Sequence, residues 1–170
     1  MLSRDEKIRF LKEVHTFQYL KGNQLEKLAD FSVEERYPAG ARIFSQGDPG
    51  EALFVVVEGR VGVEREVTDQ DREKTDTVSL MVVREHEYFG EMSLFHDAPR
   101  SATATALRDT TILKVNQSDF GEIIEGYPQM LIELNSLLCQ RLIEAYDKIS
   151  ELKLSRKPRE LRNLYDKLDF

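Results

Sequence analysis

Apolar residues change their spacing twice along this chain. Between Asp5 and Phe31, the residues Ile8, Leu11, Val14, Phe17, Leu20, Leu25 and Leu28 recur at helical spacing. Gly22-Asn23 interrupts the series, which predicts two short helices joined by a turn. From Val33 to Val115 the texture is that of strands. Candidates are Ala41–Gln46, Leu53–Val57, Arg60–Val67, Thr77–Val83, Ala102–Leu107 and Thr111–Val115, rich in Val, Ile, Phe and Thr. Turn signals punctuate them at Pro38-Ala39-Gly40, Gly47-Asp48-Pro49-Gly50, Glu58-Gly59 and Arg108-Asp109. Many short strands at regular spacing predict an antiparallel sheet that closes on itself and hides its edges. The stretch Thr68–Asp76 has no apolar residue and reads as a hairpin tip that only connects.

After Val115 the helical period returns. Ser118 suits the N-cap of a short helix through Ile124, which Gly126-Tyr127-Pro128 ends. A long helix follows from Pro128 to about Leu154, with Leu131, Leu134, Leu138, Leu142, Ala145, Ile149 and Leu152 mostly three or four residues apart. Lys157-Pro158 breaks it, and Arg159 to Leu168 is compatible with a last short helix. The expected fold is α+β: an antiparallel β-roll of jelly-roll type over 33–115, between N-terminal helices (5–31) and C-terminal helices (118–154). Residues 1–154 then form one domain, and 155–170 a short tail.

Composition narrows the function classes. Lys plus Arg total 24 against 31 Asp plus Glu, a net charge of -7 in 170 residues. Such a chain is a poor partner for nucleic acid, where phosphate neutralisation supplies most of the binding. The lone cysteine, Cys139, excludes an internal disulfide and is expected to be a buried structural thiol in the run LLCQRLI. The opening residues MLSRDEKIRF lack the apolar stretch of a signal peptide, and no segment approaches the ~20 apolar residues of a membrane span. A cytoplasmic protein without membrane contact is expected.

One interruption of the strand region carries unusual chemistry. Tyr88-Phe89 ends a strand, Gly90 permits a close approach, and Glu91-Met92-Ser93-Leu94-Phe95 has the length of about one helical turn. Asp97-Ala98-Pro99 then turns the chain into Arg100-Ser101, which opens the next strand. A helix start offers unpaired N–H groups and a partial positive charge to a phosphate oxygen. Arginine adds a bidentate charge-assisted donor, and serine a hydroxyl. A carboxylate in such company makes sense when Glu91 accepts from a sugar hydroxyl and pairs with the arginine.

The series FGEMSLF followed by APRSATATA resembles the phosphate-binding cassette of cyclic nucleotide-binding domains. The resemblance runs on through Pro38-Ala39-Gly40, Gly47-Asp48 and the strand LFVVVEGRV, covering Ile8 to about Leu154. It implies that Glu91 holds a ribose 2′-hydroxyl and Arg100 the exocyclic oxygens of a cyclic phosphate. Gly90, Met92, Ser93, Ser101 and Ala102 flank the ligand. By the same resemblance the long helix closes over the base near Ala145-Tyr146, where alanine offers no hydrogen bond and Tyr146 is placed to stack. The ligand is then cyclic AMP or cyclic GMP, with no other cofactor.

Other chemistries fit less well. His86, Glu91 and His96 lack the HxH pair of a barrel metal site, so no metal is expected. There is no G-x-S-x-G elbow, no histidine base evident beside a serine or Cys139, and no GK[ST] after the glycines at 47 and 50. A sensor without catalytic activity is expected, signalling through its long helix to an effector protein. The alternative is an interaction module on the same fold that needs no ligand. Ile132, Ile143 and Tyr146 widen the apolar face of the long helix, so one side suits the roll and another a second copy in a homodimer. The 16 residues from Ser155 to Phe170 are too few for the winged helix-turn-helix that bacterial transcription factors of the family carry.

Overall fold

The computed structural model describes residues 1–18, 20, 22–69, 74–92, 98–126 and 128–155. Its elements are α1 (Arg4–Glu13), α2 (Asn23–Phe31), β1 (Val33–Tyr37), β2 (Arg42–Phe44), β3 (Ala52–Glu58), β4 (Val61–Asp69), β5 (Lys74–Val83), β6 (Tyr88–Phe89), β7 (Thr103–Ala106), β8 (Thr110–Asn116), α3 (Gln117–Gly126) and α4 (Gln129–Ser155). The strands form two antiparallel sheets, ordered β1-β8-β3-β6 and β2-β7-β4-β5. The chain divides into two compact units, 1–130 and 131–170.

The expected antiparallel β-roll is present, as two open four-stranded sheets rather than one sheet closed on itself, and its core explains the strand pattern. Alternate residues of β3 and β8 (Ala52, Phe54, Val56 and Ile112) meet Val61, Val83, Phe89 and Ala104 in one buried cluster. The opposite residues, Leu53, Val55, Leu113 and Val115, are also fully buried, on the face that carries α2 and α3. A strand covered on both faces reads as a continuous apolar run, as LFVVV does. Burial of that sheet's outer face by Leu25, Leu28, Phe120 and Ile123 seats the helices.

Three details depart from the sequence expectation. The first helix stops at Glu13, well before Gly22, and Val14 is already extended. Leu11, Val14, Phe17 and Leu20 step by three, and the amides of Phe17 and Leu20 bond the carbonyls of Val14 and Phe17. A period of three belongs to tight i+3 turns rather than to an α-helix. The flanks of the expected hairpin tip Thr68–Asp76 are paired strand, with Thr68 opposite Thr75 and Asp69 opposite Lys74, while 70–73 lie outside the described residues. Threonine suits a strand, and the register set by the apolar part of the hairpin carries it outward. Strand β1, with three charged residues among VEERY, had no readable alternation. It is an edge strand zipped to β8 from Val33↔Lys114 to Tyr37↔Thr110.

The long helix α4 forms a unit of its own with residues 131–155. Cys139 is exposed there, not buried as expected. It lies on the same side of α4 as Ile132, Ile143 and Tyr146, and that side is exposed. Among the described residues, no helix is long and apolar enough to cross a membrane. Helix α3 starts at Gln117, one residue before the expected cap Ser118.

Glu34 on β1 gives the fold an acid-sensitive joint. Its side chain is only 3% exposed and accepts the Leu2 amide and the Arg36 guanidinium (3.0 Å). The Leu2 hydrogen bond, followed by Arg36, holds its carboxyl below the ordinary value of 4.5. A depressed folded value contributes stability above the unfolded value and loses it as pH falls through the folded one. Urea midpoints of the wild type should therefore drop below about pH 4.5, and Glu34→Gln should flatten that decline.

Candidate functional site

The site grows from the place where β6 stops. Its pairing with β3 ends at Phe54↔Phe89, and the chain turns away at Gly90, whose φ is +78°. Beyond that point Arg100 takes over the edge of β3. Its Nη2 donates to the Ala52 carbonyl (2.8 Å) and its Nη1 to the Gly90 carbonyl (2.9 Å). The arginine main chain is held as firmly. Its amide donates to Asp48 O (2.8 Å) and its carbonyl accepts from Gly47 N (2.9 Å). The turn before it is closed by Asp48 accepting the Ser45 amide (2.7 Å), and Thr103 accepts the Gln46 amide (3.0 Å).

Arg100 is 6% exposed and Glu91 2% exposed, the two buried charged residues of this region. The guanidinium lies over the Phe44 ring, 4.3 Å from its centre, and 5.3 Å from that of Phe54. Phe44, Phe54 and Phe89 pack as a trio with ring centres 5.2 to 5.8 Å apart. Burial pulls the Arg100 guanidinium below the ordinary arginine value, and the charges of Asp48 and Glu91 oppose that shift. A buried cation with in-plane donors is suited to grip an oxyanion, because charge-assisted bonds strengthen where water is excluded.

The other expected residues fall in different places. Ser101 is exposed, its hydroxyl 4.0 Å from the sulfur of Met92, which is itself 59% exposed. Ala102 is buried beside Arg100 at the entry to β7. Ser93 and His96 lie outside the described residues, as does most of the expected one-turn helix. Tyr146 stands on α4, in the second unit, and is 58% exposed. His86 adopts a left-handed φ of 64° in the β5–β6 turn, stacks on Phe10 (4.6 Å) and meets Glu13 at 3.0 Å. That places it against α1. Tyr88, two residues on, touches Phe17 and accepts the Thr16 hydroxyl (3.2 Å), so the N-terminal segment rests on the strand that leads into Gly90.

Sequence reasoning missed the residues that hold Arg100. Asp48 and Ala52 act through main-chain carbonyls, which carry no side-chain signature, and Phe44 reads only as a core residue. The turn sequence GDPG was the one available signal.

The chain of this β-roll leaves one sheet at Gly90 and then ties the buried Arg100 across the gap it leaves. Residues 34–127 match the cyclic nucleotide-binding domain profile, and the chain belongs to that family. It is 35% identical over 130 residues to the cyclic AMP receptor protein of Thermus thermophilus, covering 76% of this chain and 57% of that one. It is 31% identical over 122 residues to a cAMP-dependent protein kinase regulatory subunit of Dictyostelium discoideum, covering 72% and 37%. The crystal structure of the Thermus thermophilus catabolite activator protein superposes with a TM-score of 0.70 at 33% identity, covering 81% of this chain and 62% of that one. The chain thus spans between about a third and two thirds of these relatives' lengths.

Two glycines separate backbone strain from crowding. A Cβ at Gly40 (φ +82°) would meet open space, whereas one at Gly90 would sit 2.8 Å from Arg100 Nη1 and 3.3 Å from the Ala52 carbonyl. Gly40→Ala should cost about 1 kcal/mol of backbone strain, and Gly90→Ala should reach about 2–3 kcal/mol because the guanidinium must also move. Chemical denaturation of the two variants measures the difference.

Proposed function

We propose that this chain is a cyclic nucleotide sensor without catalytic activity, its ligand cyclic AMP or cyclic GMP. The observation that carries the reading is the buried Arg100, tied to the carbonyls of Gly90 and Ala52 within residues that match the family. In this reading Arg100 and the backbone at Gly90, Met92, Ser93 and Ala102 hold the cyclic phosphate. Glu91 accepts the ribose hydroxyl and Ser101 adds a donor. Tyr146 stacks on the base, and the output is a movement of α4 that an effector protein reads. A ligand shifts such an equilibrium only by binding one arrangement better, so closure of α4 over the nucleotide is what supplies the signal.

Residues 1–154 act together as this module. Leu142, Ile143, Tyr146 and Ile149 are 44 to 60% exposed on α4, a face apolar enough to pair with a second copy of the chain. Support for a homodimer rests on that face alone. The match to a receptor protein and to a kinase regulatory subunit supports a regulatory role.

Calorimetric titration with cyclic AMP and cyclic GMP tests the reading. Wild type should bind at least one of them, and Arg100→Glu should weaken that binding by about a hundredfold or more, since it reverses a charge at the phosphate. A wild type that binds neither at hundred-micromolar ligand overturns the sensor in favour of the ligand-independent interaction module.

A further inference from the structure

Within that nucleotide-binding reading, we infer that Phe44 is a positioning residue for the phosphate, acting through Arg100. Its ring sits under the guanidinium at 4.3 Å, nearer than Phe54 at 5.3 Å. The arginine side chain has long rotatable bonds, and a buried one must be restrained to present its donors in one direction. Hydrogen bonds to Gly90 O and Ala52 O restrain it in the guanidinium plane. The Phe44 ring restrains it out of that plane. Stacking uses the face of the group and hydrogen bonding uses its edge, so an oxyanion can bind at the edge while the face stays on the ring.

The ring is itself braced. Phe44 packs on Phe54 (5.5 Å) and Phe89 (5.8 Å), and Phe89 is the residue before Gly90. One aromatic trio therefore supports both the arginine and the start of the segment facing it. Phe44 comes from β2, whose pairing with β7 sets Phe44 opposite Ala104, four residues beyond Arg100. Its position relative to the arginine is set by strand register, which a ligand need not disturb.

The experiment compares Phe44→Leu, which keeps an apolar side chain but removes the π face, with Phe44→Tyr, which keeps the face. The ring is half-buried. Cyclic nucleotide affinity should fall about three- to thirtyfold in the leucine variant, the range of a cation–π contact, and stay near wild type in the tyrosine variant. In the ligand-free protein, the Arg100 side-chain Nε–Hε proton should lose its upfield ring-current shift in the leucine variant and keep it in the tyrosine variant. A merely structural role for Phe44 would not produce that pairing of affinity and resonance. Leucine binding as tightly as wild type, or tyrosine binding as weakly as leucine while the resonance stays shifted, overturns the inference. A wild type that binds no cyclic nucleotide instead overturns the functional reading on which it rests, and the resonance still reports whether the stack exists.

Discussion

Burying an arginine among phenylalanine rings costs free energy that only well-placed acceptors and a π face can offset. Arg100 has two main-chain carbonyls in reach and the Phe44 ring beneath it, and much of the site's local geometry follows from serving that group. β6 is two residues long, so the Ala52 edge of β3 is left to a side chain rather than a strand. Gly90 cannot carry a side chain without displacing Nη1. The 45–48 turn folds back to bond the arginine's own amide and carbonyl, which places the residue before its side chain is placed.

That arrangement depends on the sandwich around it. Strands β3 and β8 are buried on both faces, by the second sheet on one side and by α2 and α3 on the other. The N-terminal segment reaches the site's own strand through Phe17 and Thr16 on Tyr88, and α1 reaches the turn before it through Phe10 and Glu13 on His86. His86 holds a left-handed backbone conformation that is uncommon for a non-glycine residue, and it does so between a stacked ring and a carboxylate. The strand leading into Gly90 is thus fastened to the core, while Met92 and Ser101 are exposed.

Local signals were readable from the order of residues alone. Turn residues and β-branched runs marked six of the eight strands among the described residues, and Tyr88-Phe89 was recognised as a strand end, because those preferences act over two to five residues. The series from Phe89 to Ala104 announced a phosphate chemistry because glycine, glutamate and arginine stand there at fixed offsets. Helical periodicity misled at Val14–Leu20, where a step of three serves tight turns, and charge concealed β1, which is a strand only because β8 zips to it. Cys139 was placed inside because its neighbours are apolar, yet the side of α4 it shares with Ile132, Ile143 and Tyr146 is itself exposed.

What the sequence determined by itself is most of the elements and the identity of the charged residues Glu91 and Arg100, in a chain of cyclic nucleotide-binding type. What only the tertiary structure decided is how that arginine is held. Its partners Phe44, Asp48 and Ala52 lie about fifty residues upstream and act through a ring face and two carbonyls. Backbone acceptors are the same at every position, so no residue code announces them. They become specific only when antiparallel pairing brings two distant segments into register.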